Sequence, residues 1–130
     1  MGAYRRCYYD LAQALDNKNC FVADLDSPGL CVKGAECVIV INPHMSWQKK
    51  FYTLIHEVGH CFKVNFLSQT HPRNWELVKD HNDNEHVANQ RALIFLRVFE
   101  FEREDAEDYM VFHRQMVRKK KRKPWFKLYV

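Results

Sequence analysis

Tyr4, Cys7, Tyr8, Leu11 and Leu15 recur at the three- and four-residue intervals of one helix face, which predicts an amphipathic first helix over residues 4–15. The polar run Asp16-Asn17-Lys18-Asn19 stops it and turns the chain. Cys20-Phe21-Val22-Ala23 and Cys37-Val38-Ile39-Val40-Ile41 are rich in residues that suit a pleated, half-buried surface. Between them, Ser27-Pro28-Gly29 reads as a turn and Leu30-Cys31-Val32 as a middle strand. The expected sheet is small, mainly antiparallel and of about three strands.

Beyond Asn42-Pro43, Ser46 can cap a helix running from Trp47 to about Asn65, and Pro72 bars the following loop from extending it. A second long helix is expected from Asp83 through Glu85, Ala88, Ala92, Phe95 and Phe99. A third begins near Asp105 with Tyr109, Phe112, Met116 and Val117 on its inner face, and Pro124 ends the helical pattern. Helix, small sheet and then helices, with no internal repeat, predict an α+β fold. A single domain over residues 1–117 is followed by a basic aromatic tail over 118–130.

With 130 residues, 47% of them hydrophobic, the chain can bury one core without disulfide staples. Its five cysteines are odd in number and include no C-x-x-C pair, which predicts reduced thiols in a cytosol-like compartment. No signal-peptide segment opens the sequence, and no apolar run approaches the ~20 residues of a membrane span. The expectation is a soluble cytoplasmic protein without membrane partners. Net charge is +4, but residues 112–130 hold eight Lys or Arg and no acid, so the rest carries 12 basic against 16 acidic groups. A mildly acidic body and a strongly basic tail suit different partners.

Residues 56–60 read His-Glu-Val-Gly-His, the H-E-x-x-H pattern, inside the second predicted helix. Positions four apart lie on one helix face, so His56 and His60 can aim a ring nitrogen at one ion. Glu57, rotated away from ligation, is the natural general base for a water whose pKa zinc lowers to about 7. Such an ion needs a third protein ligand and an open fourth position. The metzincin continuation is excluded because Lys63 and Phe66 stand where its Gly and His would be. Glu85 is the better candidate, with His81 and His86 as competing imidazoles. Ala88 and Asn89 share the face of Glu85: Asn89 can hydrogen-bond a ligand histidine from there, and Ala88 lets the helices approach. Gly59 costs its helix about 1 kcal/mol relative to Ala, which points either to close packing by another backbone or to a tolerated background residue. An oxyanion stabiliser is also needed; Tyr109, His113, His81 and His86 are chemically able, and the sequence assigns none. H-E-x-x-H pentapeptides also arise by chance on ordinary helices.

Phe51-Tyr52-Thr53-Leu54-Ile55-His56-Glu57-Val58-Gly59-His60, followed by Glu85-His86-Val87-Ala88-Asn89, resembles the ImmA/IrrE family of small metallopeptidases, whose pattern pairs Phe-Thr-Leu-Ala-His-Glu-Leu-Gly-His with Glu-x-x-Ala-Asn. The resemblance implies a gluzincin-like site for one Zn2+ ion held by His56, His60 and Glu85, with Glu57 as base. It also implies a protein or peptide substrate, in several members a DNA-associated regulator. The sequence departs from the family after Asn89, where Arg91-Ala92-Leu93-Ile94 replaces its usual continuation.

Arg118, Lys119, Lys120, Lys121, Arg122 and Lys123 form an uninterrupted cationic run before Pro124-Trp125-Phe126. Such a run attracts phosphate backbones, and the aromatics could stack on bases. A solvated helix end, a nuclear address or an acidic protein surface would use the same residues. Two functions therefore stand: a zinc peptidase cleaving a specific intracellular protein, or a non-proteolytic metal-containing protein that binds a regulator or nucleic acid through its tail.

Overall fold

The computed structural model describes residues 2–24, 37–67 and 74–122, and of residues 24 and 117–122 the backbone only. The stripe at the start of the chain folds as helix α1 (Gly2–Asp16) and buries Cys7, Tyr8, Leu11 and Leu15. Asn19 closes the following turn with φ 59, a left-handed conformation that asparagine tolerates better than most residues.

Strands β1 (Cys20–Asp24) and β2 (Cys37–Ile41) come next, and they pair in parallel, Cys20 opposite Cys37 and Asp24 opposite Ile41. The expected three-stranded, mainly antiparallel sheet is not seen among the described residues, where this pair is parallel. A parallel pair needs a crossover of about a dozen residues or more, and residues 25–36 supply that length. The proposed turn at Ser27-Pro28-Gly29 and the middle strand Leu30-Cys31-Val32 lie outside the described residues.

Helix α2 (Trp47–Cys61) begins where Ser46 accepts a hydrogen bond from the Lys49 amide. It passes through the core, with Phe51, Tyr52, Leu54, Ile55 and Val58 all buried. It ends at Cys61 rather than near Asn65. Phe62, Val64 and Phe66 alternate with Lys63 and Asn65, a period of two that suits a ribbon, and these residues form strand β3 (Phe62–Phe66). β3 pairs antiparallel with β4 (Trp75–Lys79), a strand the hydrophobic pattern did not predict. Among the described residues the strands form two two-stranded sheets.

Helix α3 (Glu85–Val98) starts two residues later than Asp83, because Asn84 caps it by accepting from the amides of His86 and Val87. Glu100, at φ 65, turns the chain into α4 (Arg103–Arg122). Leu11, Leu15, Ile41, Phe51, Leu54, Ile55, Ala92, Phe95, Leu96 and Tyr109 belong to one buried cluster at the meeting of the helices and the sheets. Tyr4 ties α1 to that cluster by stacking on Phe101, centroids 4.7 Å apart, and by hydrogen bonds to Tyr52 and Asp105. Four helices with one parallel and one antiparallel strand pair make the described molecule α+β. Among the described residues no helix is long and apolar enough to cross a membrane.

Candidate metal centre

The packing of α3 on α2 is set by a glycine. A Cβ on Gly59 would lie 2.5 Å from the Ala88 carbonyl oxygen, closer than any side-chain carbon can come, so the two backbones touch there only because residue 59 has no side chain. The C-terminal carbonyls of α2 are then held from outside the helix. Asn82 Nδ2 donates to the Gly59 oxygen at 3.2 Å, as does Arg91 Nη1, which also donates to the Asp80 carbonyl at 2.7 Å while Nη2 pairs with the Asp80 carboxylate at 2.6 Å. Arg91 thereby fastens α3 to the end of α2 and the exit of β4.

This packing carries Glu85, the first residue of α3, onto the histidine pair. His56 Nε2 lies 2.9 Å from Glu85 Oε2, and His60 Nε2 lies 3.1 Å from Glu85 Oε1. The two imidazoles stand edge to face, 4.8 Å between centroids and 89° between planes. Both are buried, whereas the Glu85 side chain is 48% exposed, so the group opens to solvent on the carboxylate side.

The opposite ring nitrogens settle the tautomers. His60 Nδ1 is 3.0 Å from the Asn82 carbonyl oxygen, which can only accept, so Nδ1 carries the proton. The Tyr109 hydroxyl donates to Asn89 Oδ1 at 2.7 Å, which marks that oxygen as an acceptor. His56 Nδ1 faces both Asn89 Oδ1 and the Tyr109 oxygen at 3.1 Å and is likewise the donor. In the neutral form of each ring, Nε2 then presents a lone pair to Glu85. Neither makes a hydrogen bond, although a Glu85 carboxylate oxygen lies 2.9 Å from His56 Nε2 and another 3.1 Å from His60 Nε2. Lone pairs at this range from an anionic carboxylate repel unless a cation stands between them. The donor set of two imidazole nitrogens and a carboxylate fits a divalent ion such as zinc.

Glu57 is buried on the same helix. Burial first, then the charges of Glu85 and Glu57, push the Tyr109 hydroxyl above the ordinary tyrosine range, so it stays protonated and keeps donating to Asn89.

His113 of α4 adds a further imidazole. Its ring lies 4.8 Å from that of His56, and the ligand atoms of His56, Glu85 and His113 all fall within 4.8 Å of one another. Two triples thus share His56 and Glu85. The His60 triple is the better ligand set, since direct Glu85 contacts and fixed tautomers define it, and His113 stands beside it. Of the other imidazoles considered, His81 pairs with Asp83 at 3.1 Å. Asn82 and Arg91 act across segments distant from the helix they hold, and the local residue pattern carries no signal for either role. The side chains of Arg118, Lys119, Lys120, Lys121, Arg122 and Lys123 lie outside the described residues. No protein-family model, curated protein or solved structure matches the chain.

Proposed function

We propose that this chain is a zinc-dependent peptidase resembling the ImmA/IrrE family, with one Zn2+ held by His56, His60 and Glu85 and with Glu57 as general base. The carrying observation is the pair of Nε2 lone pairs facing the Glu85 carboxylate while both Nδ1 protons are committed to oxygen acceptors. Bound there, zinc would supply Lewis acidity and lower the pKa of a water to about 7. Glu57 takes a proton from the attacking water and returns it to the leaving amine. Asn89, Tyr109 and the Asn82 carbonyl hold the imidazoles in the tautomer and orientation that ligation needs. The carboxylate side, open to solvent, is where an extended peptide would approach. A specific intracellular protein, such as a regulator associated with DNA, is the substrate class the resemblance suggests.

The test is metal content of untagged protein together with peptide cleavage. One zinc per chain, retained in Glu57→Gln with a loss of turnover of about 10²–10⁴-fold, is the expected result. Equal cleavage by Glu57→Gln and wild type would remove Glu57 from the chemistry, and zinc binding unaltered by His60→Ala would remove the site.

The position of His113 favours one second reading. As a fourth ligand it would close the coordination and leave a metal-containing binding protein rather than an enzyme. His113→Gln separates the two: zinc affinity kept with slower cleavage fits a group acting on substrate, whereas lost affinity fits a closed site.

A further inference from the structure

Beyond the histidine centre, the chain gathers a second group of soft donors from four separate segments. Cys20 opens β1 and Cys37 opens β2, and the parallel register sets them opposite each other with their sulfurs 2.6 Å apart. Cys61 closes α2, and its thiol interacts with Cys37 on one side and with the His81 imidazole on the other. The backbone explains why His81 is there. The Asp80 amide donates to the Cys61 carbonyl at 2.9 Å and the Asn82 amide to the His60 carbonyl at 2.8 Å, so residues 80–82 run alongside the end of α2. His81 in turn holds Nε2 on Asp83 at 3.1 Å, the carboxylate support that ligating histidines commonly have, which leaves Nδ1 for a metal.

We infer that Cys20, Cys37, Cys61 and His81 form a second, structural metal site for a thiophilic divalent ion such as zinc, clipping the parallel strand pair to the end of α2 and the exit of β4. Three thiolates and one imidazole are an established structural zinc set. A sulfur contact of 2.6 Å is too close for two thiols at rest. It lies between the ~2.05 Å of a disulfide and the ~3.8 Å between sulfurs on a tetrahedral zinc with Zn–S bonds of ~2.3 Å. The metal is the outcome that also engages the neighbouring Cys61 thiol and His81 imidazole, whereas a disulfide would engage Cys20 and Cys37 alone. The groups are strung in a chain from Cys20 to His81, so binding draws its two ends together on the ion. A bound divalent ion deprotonates its sulfur ligands, and each thiol releases its proton to solvent.

The probe is Co2+ alone, added to the reduced, metal-free full chain under anaerobic conditions with a non-thiol reductant. Sulfur ligation gives an intense near-ultraviolet charge-transfer band that the sulfur-free His56, His60 and Glu85 centre cannot produce, so this test stands or falls independently of the peptidase reading. One band-forming Co2+ per chain is expected, with the band present in wild type and in His60→Ala and absent in Cys37→Ser. His81→Ala, at a side chain 66% exposed and therefore harmless to folding, should keep its secondary structure and weaken the band-forming event by about 10-fold or more. No band in wild type, a band surviving in Cys37→Ser, or His81→Ala titrating like wild type would overturn the site. So would a wild-type chain isolated lighter by two hydrogens with Cys20 bonded to Cys37.

Discussion

The two helices that flank α2 meet it in different ways. α3 meets it backbone to backbone, where Gly59 lies against Ala88, and Arg91 and Asn82 reach across to the last carbonyls of α2. α4 meets it through side chains: Tyr109 edge-on to Tyr52 with centroids 5.5 Å apart, Phe112 against the same ring, and His113 against His56. A backbone contact admits one spacing, and the carboxylate delivered by α3 inherits that exactness of placement. Contacts through rings and hydroxyls are adjustable, and the groups delivered by α4 serve as supports around the histidines.

Changing each face in turn should reveal that contrast. Gly59→Ala gives the largest stability effect. Helix propensity favours Ala by about 1 kcal/mol, but the new methyl meets a main-chain carbonyl that cannot rotate away. The clash wins, with a net loss of about 3 kcal/mol in urea unfolding and weaker zinc binding as Glu85 is pushed from the histidines. Wild-type stability in that variant would show the helix contact to be soft. Arg91→Met keeps the aliphatic stem and removes the guanidinium, at a cost of about 2 kcal/mol by the same measurement. Tyr109→Phe sits at the small end. Asn89 still holds His56 Nδ1, so zinc affinity should fall by about 10-fold in a chelator competition, with little change in unfolding. A larger loss from Tyr109→Phe than from Gly59→Ala would invert the assigned roles of the two faces.

The same contrast explains what the sequence made legible. Helical spacing places Glu85, Ala88 and Asn89 on one face, and a glycine inside a helix hints at close packing, so the pieces of the backbone contact could be named locally although Gly59 could not be matched to Ala88. Ser46 and the stripe of α1 were readable for similarly local reasons. Tyr109 and His113 could be named but not positioned, because nothing local fixes how α4 returns over α2. That return depends on Glu100 adopting a left-handed conformation, for which its residue type gives no signal. Strand β3 was missed although its alternation was present. Five residues continuing a strong helical pattern are ambiguous until the partner strand is known, and β4 is supplied from beyond a long connection. The parallel pairing of β1 and β2 is a tertiary choice, and strand composition does not distinguish it from the antiparallel one.

Cys61 is the last residue of α2 and Phe62 the first of β3, so no loop separates the helix that bears the histidines from the ribbon. A piston-like shift of the helix along its axis has no slack to absorb it and becomes shear between Phe62 and Lys79 in the first rung of the ladder. The histidine centre and the β3–β4 ribbon therefore form one lever, and a load applied at the ribbon's outer end would be felt at the imidazoles without any intermediate joint.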